Sequence, residues 1–131
     1  MNEDLHISKS VAERVVLETL IVDVDGFEGP LDLLLLLSRS QKVDLRKISV
    51  LDLAVQYLSF IEKATELRIE LAADYLVMAA WLAFLKSKLL LPPELTDTGP
   101  SGDALADYLA FQLERLEAMR NVAANLMARD R

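Results

Sequence analysis

The sequence predicts a mainly α-helical protein: a small N-terminal helical bundle with a long third helix and one short extended segment near the N-terminus, then a linker and a separate amphipathic helix. Three observations carry this. Hydrophobic residues make up 53% of the 131 residues, with only four Gly and four Pro, a composition that favours helix over sheet. Apolar residues recur at three- and four-residue spacing through most of the chain. The Gly and Pro residues gather at 26–30 and 92–102, where they punctuate that pattern.

Residues 1–18 read as a mobile leader, in which Val11 to Leu17 can form a helical turn or two. Leu20, Val22 and Val24 alternate with Ile21, Asp23 and Asp25, the pattern of a short half-buried strand. Phe27-Glu28-Gly29-Pro30 breaks the chain and starts helix one, because Pro has its φ preset for the first helical turn. That helix should run from Pro30 to Ser38, with Asp32 at the positive end of its dipole. Gln41 to Ile48 reads as an irregular connection anchored by Val43, Leu45 and Ile48. Ser49 offers an N-cap for helix two, expected from Val50 to Leu67, with Glu62, Lys63 and Glu66 on its wet side.

Helix three should run from Ile69 to Leu90, about 33 Å at ~1.5 Å per residue, until Pro92-Pro93 stops it. Leu71, Tyr75, Met78, Leu82, Leu85 and Leu89 follow a 4-3-4-3-4 spacing, the seam of a coiled-coil-like contact. Val77, Trp81 and Phe84 lie on another face. Residues 92–102 form the linker that closes a first domain at 19–91. Helix four is expected from Asp103 to Ala128, within a second unit at 103–131. Leu105, Leu109, Gln112, Leu116, Met119, Ala123 and Leu126 keep a 4-3 spacing, and Tyr108, Phe111, Arg115 and Val122 make a neighbouring face.

Several function classes fall away. The formal net charge is −7, whereas tracking phosphates needs clustered Lys and Arg, so DNA is expected only through a partner. Cysteine is absent, which excludes disulfides and thiolate zinc sites. The longest apolar run, Tyr75 to Leu85, has 11 residues, against about 20 for a membrane span. The single His, His6, has no local neighbour to orient it for acid–base work. Asp23 and Asp25 lack the further oxygen ligands of a hard-cation loop. No phosphate loop or nucleophile elbow is present. No cofactor, metal or catalytic residue is therefore expected, and the chain reads as a protein-binding subunit rather than an enzyme.

Helix three is the informative element. A helix apolar all round is buried by several neighbours at once. Leaving Met78, Leu82, Leu85 and Leu89 wet would forgo several of the ~5–15 kcal/mol that hold a domain together. The residues alone leave two readings open: these side chains complete an internal core, or they bind another protein. Helix four, beyond the linker, reads as a second docking element, and a self-associating structural bundle is the alternative to both.

Four ordered motifs sharpen the choice: Phe27-Glu28-Gly29-Pro30-Leu31-Asp32-Leu33-Leu34-Leu35, Gln56-Tyr57-Leu58, Tyr75-Leu76-Val77-Met78-Ala79-Ala80, and Lys86-Ser87-Lys88-Leu89-Leu90-Leu91-Pro92. Together they resemble the segregation and condensation protein A family, the bacterial kleisin subunits of the SMC condensin complex, which act in chromosome segregation and condensation. The resemblance implies a cytoplasmic, nucleoid-associated adaptor whose long helix joins the coiled coil above an SMC ATPase head, the head-neck. It implies Leu71, Tyr75, Met78, Leu82, Leu85 and Leu89 as the neck-binding residues. For helix four it implies a grip by a dimer of segregation and condensation protein B, through Tyr108, Leu109, Phe111, Leu116 and Met119. The family's C-terminal winged-helix domain has no counterpart in these 131 residues, so the expectation is a fragment that binds one head-neck and the partner dimer without bridging two heads.

Overall fold

A computed structural model describes residues 29–92 and 99–129. The expected leader, the strand around Leu20 to Val24, Phe27, and most of the linker lie outside the described residues. Within them the regular structure is helical: α1 (Pro30–Ser38), α2 (Val50–Glu66), α3 (Ala73–Leu90) and α4 (Gly102–Arg129), with two 3₁₀ turns, Arg39–Gln41 and Leu45–Lys47, between α1 and α2.

Each boundary has a local cause. Gly29, at φ 157° and ψ −170°, occupies backbone space that is essentially reserved for glycine, and Pro30 follows at the start of α1. Ser49 caps α2 as expected, its hydroxyl accepting from the Asp52 N–H at 3.2 Å. Gln41 secures the turn before it, accepting from the Ser49 N–H at 2.9 Å and donating to the Ser49 carbonyl at 3.0 Å. Of the three residues expected to anchor this connection, Leu45 is buried and Ile48 half-buried, but Val43 is exposed. Arg68 ends α2 with φ 58°, and the Ile69 N–H returns to the Ala64 carbonyl at 2.9 Å, a left-handed cap. This cap shortens the long helix: α3 starts at Ala73 rather than Ile69, and Ile69 and Leu71 pack on the core from an extended link.

The core is Leu-rich. Leu33, Leu34 and Leu35 of α1, Leu53, Ala54, Tyr57, Phe60 and Ile61 of α2, and Tyr75, Leu82 and Leu85 of α3 form one buried cluster, which also takes in Leu109 and Leu113 of α4. Among these apolar side chains sits a polar tie: the Tyr57 hydroxyl donates to the Tyr75 carbonyl at 2.8 Å. Burial, and secondarily the neighbouring Tyr75, pushes the Tyr57 phenol well above its ordinary range, so it remains a donor.

Helix four departs from expectation. Its first half is not separate but packs as the fourth member of the bundle, with Leu109 and Leu113 in the core and Leu105, Ala106, Ala110 and Leu116 against it. The link is fastened as well: the Lys88 ammonium donates to the Pro100 carbonyl at 2.8 Å, and the Ser101 hydroxyl caps α4 at the Ala104 N–H. Gly102 is what lets α4 come so close. A Cβ there would stand 3.0 Å from the Leu89 backbone nitrogen and 3.1 Å from the Lys88 carbonyl carbon. From residue 121 to 129, by contrast, every residue is exposed.

Leu113→Ala tests this docking. Truncating a fully buried Leu costs ~2–5 kcal/mol, and urea unfolding should show that loss in a single transition shared by α4 and the rest of the bundle. Met127→Ala, on the exposed overhang, should stay within ~0.5 kcal/mol. A Leu113→Ala effect as small as that of Met127→Ala would mean that α4 is not docked in solution.

Candidate functional site

Among the described residues, two apolar surfaces remain bare once the bundle has closed, and both follow from helical phase. At ~100° per residue, Tyr75, Met78, Leu82, Leu85 and Leu89 fall on one side of α3, and Leu76, Val77, Ala80, Ala83 and Phe84 fall nearly opposite. The first set is turned inward: Tyr75, Leu82 and Leu85 are buried, and Met78 and Leu89, with Leu71 ahead of the helix, are half-buried against the core. The seam expected to meet a partner is thus the face that α1, α2 and α4 cover. It is the opposite face that stays wet. Leu76 and Phe84 are about half exposed, Val77 is 68% exposed, and Leu90 and Leu91 prolong the apolar surface past Phe84.

A shallow groove of about 350 Å³ adjoins this stripe, lined by Pro30, Asp74, Val77, Met78 and Trp81. It joins the start of α1 to the outer side of α3, so the Gly29-Pro30 break and the long helix shape one surface. Near the other end, the Lys88 ammonium lies 5.3 Å from the centre of the Phe84 ring, a cation–π distance. The stripe therefore carries a carboxylate, Asp74, at its start and a cation, Lys88, near its end.

The second surface is on α4. Tyr108, Phe111, Met119, Val122 and Leu126 share one side of the helix and are all more than half exposed. Of the five residues expected there, Tyr108, Phe111 and Met119 are on this surface. Leu109 is 2% exposed and belongs to the core, and Leu116 is half-buried against it. A groove of about 500 Å³ runs alongside, between α4 and the connection before α2. Leu45, Phe111 and Ala118 give it apolar walls, and Asp44, Arg46, Glu114, Arg115 and Glu117 give it charged ones. The Arg46 Nε and Glu114 Oε1 atoms stand 3.9 Å apart across it.

An ion pair fixes how far α4 stays docked. The Asp32 carboxylate, 3% exposed in the first turn of α1, pairs with the Arg120 guanidinium. A buried carboxylate is costly unless a cation and hydrogen bonds compensate it. Leu113 is the last buried residue of α4 and Glu117 the last half-buried one, so Arg120 ties the helix down about one turn beyond its core contacts. In the sequence, the helix dipole alone accounts for Asp32. Its partner is 88 positions away, and no local spacing points to it. Leu113 had a readable signal, since Leu105, Leu109 and Leu113 repeat every four residues.

Among the described residues, no helix is long and apolar enough to cross a membrane. None of these residues forms a cluster of three or more His, Asp or Glu side chains that could hold a metal ion. What the geometry offers is docking area on two helices.

Known proteins with the same pattern have a consistent description. Residues 36–128 match the family model of segregation and condensation protein ScpA. A segregation and condensation protein A from Coxiella burnetii is 42% identical over 124 residues, covering 95% of this chain and 43% of its own length. One from Xylella fastidiosa is 42% identical over 85% of this chain and 37% of its own. One from Bacillus cytotoxicus is 43% identical over 82% and 45%. The chain thus spans less than half the length of these relatives.

The buried ion pair yields a double-mutant prediction. Arg120→Ala leaves the Asp32 carboxylate inside without its cation and should cost ~3 kcal/mol, whereas Asp32→Asn with Arg120→Ala should recover part of that loss. Chemical unfolding of the four proteins of the cycle measures the coupling, expected between ~0.5 and 3 kcal/mol. Additive losses would mean that the pair does not hold α4.

Proposed function

The chain belongs to the segregation and condensation protein A family, and on that premise we propose that it is a non-catalytic adaptor of an SMC complex serving chromosome segregation and condensation. In this reading the outer stripe of α3 lies along the coiled coil above one SMC head, and the outer stripe of α4 is held by the segregation and condensation protein B dimer. DNA is reached through those partners.

The observation that carries the reading is the second apolar face of α3. A helix packed against one core needs one apolar stripe, and α3 has two on opposite sides. A surface helix lying parallel to a two-stranded coiled coil would use the outer one. Ala80 and Ala83 let backbones approach, and Leu76, Val77 and Phe84 provide the knobs. The magnitudes favour a contact wider than the stripe alone. Burying the exposed halves of Leu76, Val77, Phe84 and Leu90 is worth roughly 1 kcal/mol each. Association costs an estimated ~4–15 kcal/mol in lost freedom. The groove of Pro30, Val77, Met78 and Trp81 is the neighbouring area that can supply the rest, with Trp81 as an aromatic anchor.

Val77→Glu with Phe84→Glu should abolish capture of an SMC head-neck fragment, read by titration calorimetry, while helical circular dichroism persists. Undiminished capture would overturn the assignment of this face. In a separate experiment, Tyr108→Glu with Phe111→Glu should weaken binding of the segregation and condensation protein B dimer at least tenfold and leave head-neck binding unchanged. Loss of both interactions together would contradict the division into two surfaces.

A further inference from the structure

The helical phase of α4 bears on how its partner must hold it. The inward residues Leu105, Leu109, Leu113, Leu116 and Arg120 and the outward residues Tyr108, Phe111, Met119, Val122 and Leu126 are centred roughly 115° apart around the axis at ~100° per residue. The two sets share no member, and the inward set is already satisfied within the bundle.

We propose that the partner dimer grips α4 while the helix remains docked, so that both partner surfaces ride on one rigid body. This rests on the reading given under Proposed function and adds the mode of engagement to it. Peeling α4 away would wet Leu109 and Leu113, lift Gly102 off Leu89, and strip the Asp32 carboxylate of its cation. Nothing on the outer stripe requires that, because its apolar residues already face solvent.

The occupant is a partner with an apolar groove that admits a helix. The form of the overhang favours it. From residue 121 onward α4 projects past the bundle with every residue exposed, which leaves room for groove walls on either side. The apolar pattern continues there through Val122, Leu126 and Met127, and the family match runs to residue 128. A second copy of this chain on the stripe is the competing occupant.

A tether decides the matter. The chain contains no cysteine, so two introduced thiols are the only ones. Arg46→Cys with Glu114→Cys places them on the pair that faces across from the connection to α4, exposed at Arg46 and half-buried at Glu114, off the outer stripe. The whole chain is bridged with a short bis-maleimide, or capped at both thiols with N-ethylmaleimide, and its affinity for the segregation and condensation protein B dimer is measured. The bridged protein should bind within twofold of the capped one. A loss of tenfold or more on bridging, with the capped protein still binding, would overturn the docked mode and leave the partner assignment standing. Absence of binding by the capped and unmodified proteins alike would overturn the partner assignment itself. A micromolar dimer by light scattering, abolished by Tyr108→Glu with Phe111→Glu, would give the stripe to a second copy and overturn the inference.

Discussion

Burial of one side of α3 by three other helices is the constraint on which the rest of the structure depends. Leu82 and Leu85 are sealed in one cluster with buried residues of α1, α2 and α4. That arrangement fixes which residues of α3 cannot leave. By elimination it also fixes which residues stay in contact with water. Because α3 is apolar on opposite sides, satisfying the core does not exhaust it. The chain keeps Leu76, Val77 and Phe84 in water at a hydrophobic cost that the bundle itself does nothing to relieve.

Helix four shows the same division in another form. Its first half is structural, held by Gly102 against Leu89 at one end and by Arg120 against Asp32 at the other. Its last nine residues touch little. One close backbone approach, one ion pair and a row of leucines set the docked length, and every residue from 121 to 129 is exposed. Within that first half the division is between faces, since Tyr108 and Phe111 are exposed where Leu109 and Leu113 are buried.

Much of this was legible in the residues. Pro30 and Ser38 bracket α1, Ser49 caps α2, and Pro92 follows the end of α3, each because a backbone requirement acts locally. The start of α3 was misplaced because the left-handed cap at Arg68 uses a residue type that gives no warning, where glycine would have. The inner and outer sides of α3 could not be told apart by spacing, since Tyr75-Leu82-Leu85 and Leu76-Val77-Phe84 are about equally apolar. Only the neighbours decide between them. Val43 reads as an anchor of its turn as Leu45 does, yet it falls between the two 3₁₀ turns and is exposed, whereas Leu45 opens the second turn and is buried. The docking of α4 was missed for a similar reason: Leu113 extends a four-residue repeat that competes with the 4-3 spacing through Gln112, and Asp32 finds its cation at long range.

In the proposed function the face of α3 opposite the core is the one a coiled coil meets. Methyl cross-saturation separates the two faces directly. With the chain methyl-labelled and an SMC head-neck fragment protonated and irradiated, saturation should reach the methyl groups of Leu76 and Val77 and leave those of Leu82 and Leu85 untouched. Transfer to Leu82 and Leu85 with Val77 silent would mean that the bundle opens to present its inner seam, and the assignment made from this fold would be wrong.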